Sequence, residues 1–299
     1  MHALWMVLGS LLFATMAVCV KFAAAWYGSA ELVFYRGLLG TLFMGLLAWH
    51  QRQSLATRYG AMHAWRGLTG VTSLGAWFYC IAYLPLATAL TLNYMSSVWV
   101  AAFLVGGALV TWNPAQGSKA LLHQGPLVLT VLAGFAGVVL MLQPTLESNQ
   151  LFAGLIGLLS GLIAAFAYLQ MTALGKVGEP ETRTVFYFSV VSAVAGAAGM
   201  IVTGASPLVW PHALWLVAVG VLATLGQLCI TRAYNKGATL VVANLQYSGI
   251  VFGAMYSVAL FGDAISVAGW AGMALIVASG VAATALRSTA EPAPPAGER

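Results

Sequence analysis

Ten runs of apolar residues, parted by short polar or Pro/Gly-containing breaks, take up almost the whole of the 299-residue chain. Their approximate limits are 4–21, 30–49, 66–84, 87–110, 124–142, 151–173, 183–203, 212–233, 238–261 and 265–286. A bilayer core of ~30 Å takes about 20 helical residues to cross. With no water in that core, a spanning backbone must satisfy its own hydrogen bonds, as a helix or as a closed barrel. Barrel strands alternate polar and apolar residues, and these runs do not. The pattern predicts an all-α polytopic membrane protein with ten transmembrane helices.

Composition agrees. Charged residues make up 6% of the chain, hydrophobic residues 61%, and the mean hydropathy is +0.90. A soluble surface needs about 25% charged residues, so the partner of this surface is the lipid bilayer. The pI of 9.2 does not point to nucleic acid, because the basic residues stand singly between spans. Cys19, Cys80 and Cys229 lie far apart inside apolar runs, which predicts buried thiols with no disulfide and no metal site. Residues 4–20 followed by Ala23–Ala25 have the outline of a signal peptide. The stretch before them holds only His2 and no Lys or Arg, so a retained first helix is expected.

Charge placement predicts orientation. With the N-terminus inside, cytoplasmic segments receive Arg52, Arg58, Arg66, Lys119, Lys176, Arg183, Arg232, Lys236, Arg287 and Arg299, and the other side only Lys21 and Arg36. That asymmetry satisfies the positive-inside rule and places both termini in the cytoplasm, with the chain in the cell's inner membrane. The Pro/Ala-rich residues 288–299 read as a disordered tail.

The chain also repeats itself. "ATALTLNYMSS" (Ala87–Ser97) and "ATLVVANLQYS" (Ala238–Ser248) stand 151 residues apart, as do Tyr83 and Tyr234, while Glu31 and Glu181 stand 150 apart. "GSLLFATMA" (Gly9–Ala17) and "LSGLIAAFA" (Leu159–Ala167) keep a Ser at 10 and 160. Two five-helix units follow, residues 1–146 and 147–287. Five is odd, so the second unit enters the membrane from the opposite side, an inverted repeat of the kind transporters use around a midplane site.

Ten helices in two such repeats over about 300 residues resemble the EamA-type repeats of the drug/metabolite transporter superfamily. The aromatic-rich third and fourth spans resemble YddG-like amino acid exporters. The resemblance implies that spans 1, 3, 4, 6, 8 and 9 surround a central cavity, with 5 and 10 peripheral. It implies export by alternating access and a neutral or aromatic amino acid as substrate.

Polar and aromatic residues inside spans are the candidates for that cavity. Asn93 and Ser97, and their counterparts Asn244 and Ser248 with Tyr247, form one polar face per half. Each Asn lies about five residues from its helix centre, and the helices enter from opposite sides, so the two amides are ~15 Å apart in depth. They are expected as gate or interhelical elements. Nearer the middle, Tyr79, Tyr83, Met95, Trp99, Phe166, Gln170 and Gln227 are the candidate substrate contacts. Trp77 and Tyr168 are neighbours by depth. Aromatic faces suit a flat side chain or an ammonium.

No Asp or Glu sits mid-span, which predicts facilitated flux over proton coupling. Lys21, Arg36 and Arg232 are the cations nearest the core, and snorkelling to the interface is the expected account of them. A central region without deep basic residues argues against phosphorylated substrates. No HExxH or GxSxG motif occurs, so neither an enzyme nor a cofactor is expected. Exporters of nucleobases or cationic drugs would accept the same cavity, and a channel is a further alternative. The working unit is expected to be a monomer.

Overall fold

The computed structural model describes residues 4–110, 129–130, 132–134, 136–137, 140, 148–236, 242 and 245–288. Its helices are α1 (Leu4–Ala23), α2 (Ser29–His50), α3 (Gly60–Tyr83), α4 (Leu86–Tyr94), α5 (Ser96–Val110), α6 (Ser148–Lys176), α7 (Glu181–Thr203), α8 (Ala213–Lys236), α9 (Ser248–Phe261) and α10 (Val267–Ser288). Among the described residues every regular element is helical. Among the described residues, five segments are long and apolar enough to cross a bilayer by themselves: Leu4–Ala23, Ser29–His50, Gln150–Lys176, Glu181–Thr203 and Ala213–Lys236. The fourth predicted span is two helices, α4 and α5, meeting at Met95, with the Trp99 amide still donating to the Met95 carbonyl at 3.0 Å. Most of the fifth predicted span, Asn244 and the 289–299 tail lie outside the described residues.

Small residues set the closest crossing. A Cβ on Gly37 would strike the backbone nitrogen of Ala193, and one on Gly196 would strike that of Phe34. α2 and α7 therefore touch nearly backbone to backbone, as small residues allow in lipid. They run antiparallel. Glu31, at the start of α2, accepts from the backbone nitrogen of Ser206 beyond the end of α7 (2.7 Å). Arg183, at the start of α7, donates through Nη2 to the Ser54 carbonyl beyond the end of α2 (2.8 Å).

Helices about 150 residues apart pack alike: α1 packs on α8 as α6 packs on α3, α5 packs on α6 as α9 packs on α1, and the antiparallel α2 and α7 pack on each other. Trp49, Trp210 and Trp270 are 80%, 73% and 50% exposed near helix ends, as interfacial anchors are.

Candidate functional site: a cation-lined cavity between the halves

One cavity of about 60 Å³ collects side chains from both halves: Phe13 (α1), Arg36 (α2), Arg66, Ser73 and Trp77 (α3), Asn93 and Tyr94 (α4), Tyr168 (α6), Phe188 (α7) and Gln227 (α8). A larger groove of about 1010 Å³ between α9 and α10 is lined by Val251, Met255, Val258, Trp270 and similar residues. Those four are 48% to 63% exposed on the outer surface. It has apolar contact to offer and nothing to orient a solute, so the central cavity is the candidate site.

The central feature is a pair of arginines. Arg36 and Arg66 are each 4% exposed, and their guanidinium carbons lie 4.9 and 4.3 Å from the centroid of one ring, Phe188. Each stands six or seven residues inside its helix, ~9–10 Å from the end, and α2 and α3 start at opposite ends, so the two converge from both sides. Gly70, one turn beyond Arg66, makes room: a Cβ there would meet Nη1 of Arg66, and Cε2 of Phe188 at 2.7 Å.

The expectation that Arg36 reaches the interface, that Arg66 belongs to the cytoplasmic end, and that the central region lacks deep basic residues is therefore corrected. Neighbouring helices cover both side chains before either head reaches water. The sequence signal was the pattern Arg-Gly-Leu-x-Gly, written at both Arg36–Gly40 and Arg66–Gly70, with Arg36 well inside its apolar run.

Neither guanidinium has a counter-ion among the described residues. Glu31 is engaged by Gly28 and Ser206. Asp263 accepts from Ser257 (2.6 Å), and Glu181 pairs with Lys236 (3.4 Å). Nε of Arg36, Nε and Nη1 of Arg66 and Nε1 of Trp77 are buried without a hydrogen-bond partner. All four are donors. A ring face contributes ~0.5–2 kcal/mol to each cation, whereas desolvating an ion costs several kcal/mol. Phe188 alone cannot offset two of them.

Other lining groups are already partnered. Asn93 Nδ2 donates to Ser160 Oγ (3.3 Å), and Ser73 Oγ donates to the Ser160 carbonyl (2.8 Å), tying α4 and α3 to α6. Gln227 Nε2 donates to Thr231 Oγ1 at 3.4 Å. Tyr168 stacks on Tyr234 at 5.5 Å, and Tyr234 donates to Gln246 Oε1, which also accepts from Ser97 (2.9 and 3.4 Å).

Of the sequence candidates, Gln227 and Asn93 line the cavity. Met95 and Tyr247 are buried, and Ser248 donates to the Leu245 carbonyl. Trp99 joins a row through Phe103 to Phe166 (6.5 and 4.6 Å), with Phe166 41% exposed. Tyr79 packs on Tyr83 with tilted rings (4.5 Å) and edge-on against Phe152 (6.3 Å) on the outer side of α3, and Tyr83 is 60% exposed. Gln170 is half-buried. The cavity thus unites Gln227 and Asn93 with Arg36, Arg66, Phe13 and Phe188, and not with the Tyr79–Tyr83 pair.

The end of the bundle that holds residues 50–60 and 176–181 is closed by a second charge cluster. Glu179, buried between α6 and α7, accepts from Thr57 Oγ1 (2.9 Å) and from Arg183 Nη1 at both oxygens (3.1 Å each), with His63 Nε2 at 3.2 Å. Arg183 and Tyr187 reach on to the carbonyls of Ser54 and Leu55. Burial alone would push the Glu179 carboxyl up, but the bonds from Thr57, His63 and Arg183 and the charge of Arg183 hold it below its ordinary range.

Comparison with known proteins agrees with this architecture. Residues 1–112 match the EamA-like transporter family. The chain is 32% identical to the pseudopaline exporter CntI of Pseudomonas aeruginosa over 91% of this chain and 92% of that one. It is 27% identical to an uncharacterised transporter of Helicobacter pylori (92% and 91% covered) and 26% identical to a riboflavin transporter of Rhizobium johnstonii (93% and 88%). A solved crystal structure superposes with a TM-score of 0.67 at 20% identity, covering 97% of this chain and 99% of the other. With full-length similarity to an exporter above 30% identity and a helical bundle built for the membrane, the chain belongs to the EamA-like transporter family of the drug/metabolite transporter superfamily.

Proposed function

We propose that this protein exports small carboxylate-bearing metabolites across the inner membrane by alternating access. Amino acids with flat or apolar side chains, as in YddG-like exporters, are the leading case. The observation that carries the reading is the cavity where both halves meet, in which unpartnered donors stand beside Phe13, Trp77, Tyr94, Tyr168 and Phe188. A solute carboxylate would take the donors, and its side chain or ammonium the ring faces. At about 60 Å³ the cavity is smaller than such a solute, so binding requires the halves to separate. The Glu179 cluster is the natural element to open at one end. Among the described residues no carboxylate lines the cavity, which supports facilitated flux without a proton relay. In this reading both termini are cytoplasmic and one chain is the working unit.

Reconstitution tests this. Proteoliposomes should show saturable uptake of labelled phenylalanine, tryptophan or methionine that is indifferent to a pH gradient and reduced at least tenfold by Trp77→Ala. Strict dependence on the gradient would overturn the uncoupled mechanism. Absence of flux for all three would overturn the amino acid assignment.

A further inference from the structure

The two arginines ask for more than a zwitterion supplies. We infer that Arg36, Arg66 and Phe188 form a subsite for a divalent anion, so that the preferred substrate carries two negative charges, as a dicarboxylate or as a phosphate monoester. This narrows the carboxylate-export reading above, replacing the zwitterionic amino acid as its preferred substrate, and rests on that reading only for the flux experiment, since binding can be measured alone.

Three observations converge. Two guanidinium groups share a single ring face region, with centroid distances of 4.9 and 4.3 Å, and both residues are 4% exposed. The four described carboxylates, Glu31, Glu179, Glu181 and Asp263, are all engaged elsewhere. The orphaned polar atoms lining the cavity, Nε of Arg36, Nε and Nη1 of Arg66 and Nε1 of Trp77, are all donors. A site without a described counter-charge, whose fully buried unpartnered atoms are all donors, is complementary to a ligand that brings charge and acceptors together. A zwitterionic amino acid offers one negative charge and also an ammonium, which two buried cations repel. A divalent anion neutralises both arginines, and the planar forks can each hold two of its oxygens. Gly70 marks the arrangement as built, because a methyl group there would drive the Arg66 head off Phe188.

The test is binding of a matched series to the purified full-length protein, by intrinsic tryptophan fluorescence and thermal shift. The series holds one phenyl ring and changes only charge: phenylalanine (zwitterion), 3-phenylpropanoate (monoanion), phenylsuccinate (dicarboxylate) and phenyl phosphate. One or both dianions should bind at least tenfold more tightly than the monoanion, and the monoanion more tightly than phenylalanine. Which dianion leads identifies the source of the charge. Arg36→Met and Arg66→Met should each remove the dianion preference. Gly70→Ala, which keeps both arginines, should weaken phenylsuccinate or phenyl phosphate at least fivefold and guards against misfolding of the arginine variants. Equal affinity for phenylalanine and the dianions, or dianion affinity unchanged in both arginine variants, overturns the subsite. Dianion binding without flux in proteoliposomes upholds the subsite and overturns the transport reading. Phenylalanine flux without dianion binding does the reverse.

Discussion

Two buried charge clusters in this protein are built on opposite principles. At one end of the bundle Glu179 is held by Thr57, His63 and Arg183, and Arg183 continues to the Ser54 carbonyl. At the centre Arg36 and Arg66 share one aromatic ring and lack any described counter-ion. The first cluster contains both signs of charge and gives its buried carboxylate partners at both oxygens, leaving only Nδ1 of His63 without one. It needs nothing from outside and can act as a fastening. The second has one sign and donors to spare, so what completes it must come from a ligand. A buried charge that is fully partnered speaks for closure, and one that is not speaks for binding.

Substitutions should separate the two by the sign of their effect on the ligand-free protein. Glu179→Gln removes the charge that holds Arg183 and His63, and breaking a buried pair of this kind costs ~3 kcal/mol. Thermal unfolding in detergent should show that loss. A change below ~0.5 kcal/mol would mean that the end is closed by packing alone, as for exposed pairs. Arg66→Met should act in the opposite direction and stabilise by on the order of 2 kcal/mol, because an apolar side chain replaces an uncompensated buried ion. Destabilisation of similar size to Glu179→Gln would make the central arginine structural and erase the contrast.

The same comparison predicts a pH signature. Glu179 has its carboxyl lowered in the folded protein, so its contribution is fully present above the ordinary value of ~4.3. It fades as the pH falls through the lower folded value. A thermal-stability profile of the ligand-free protein should drop in that acid range, and Glu179→Gln should flatten the drop. An unaltered profile in that variant would assign the drop to another group. The smallest effect belongs to the surface pair Lys236–Glu181, whose side chains are 46% and 21% exposed. Lys236→Ala should cost less than ~0.5 kcal/mol in the same assay, and a larger loss would mean that partnered charges near this end are coupled into one network.

Much of the architecture was legible from residue order. The apolar runs became helices because backbone groups in hydrocarbon must bond within their own segment. Gly37 in the second span and Gly196 in the seventh are the residues at which α2 and α7 cross most closely. The site was less legible. Gln227 was expected as a substrate contact and Asn93 as a gate or interhelical element; both line the cavity, and Asn93 also bonds across to Ser160. Tyr79 and Trp77 lie at nearly the same depth on α3, yet Trp77 lines the cavity while Tyr79 packs on Tyr83 and edge-on against Phe152 outside it. Depth follows from counting residues at 1.5 Å each, but facing depends on the rotation of a helix about its axis. A span with small residues and aromatics on several sides does not fix that rotation by itself.

The sequence alone determined that this chain is helical, membrane-bound and written twice, since those properties follow from how many apolar residues stand in a row and from a constant offset between similar stretches. Only the tertiary structure decided that Arg36 and Arg66, thirty residues apart, meet at Phe188. An arginine in an apolar run can extend to water or be covered, and the two outcomes differ in which neighbouring helices lie over its head group. That is decided by packing between helices, where Gly70 leaves room for one guanidinium and Phe188 supplies a face for both.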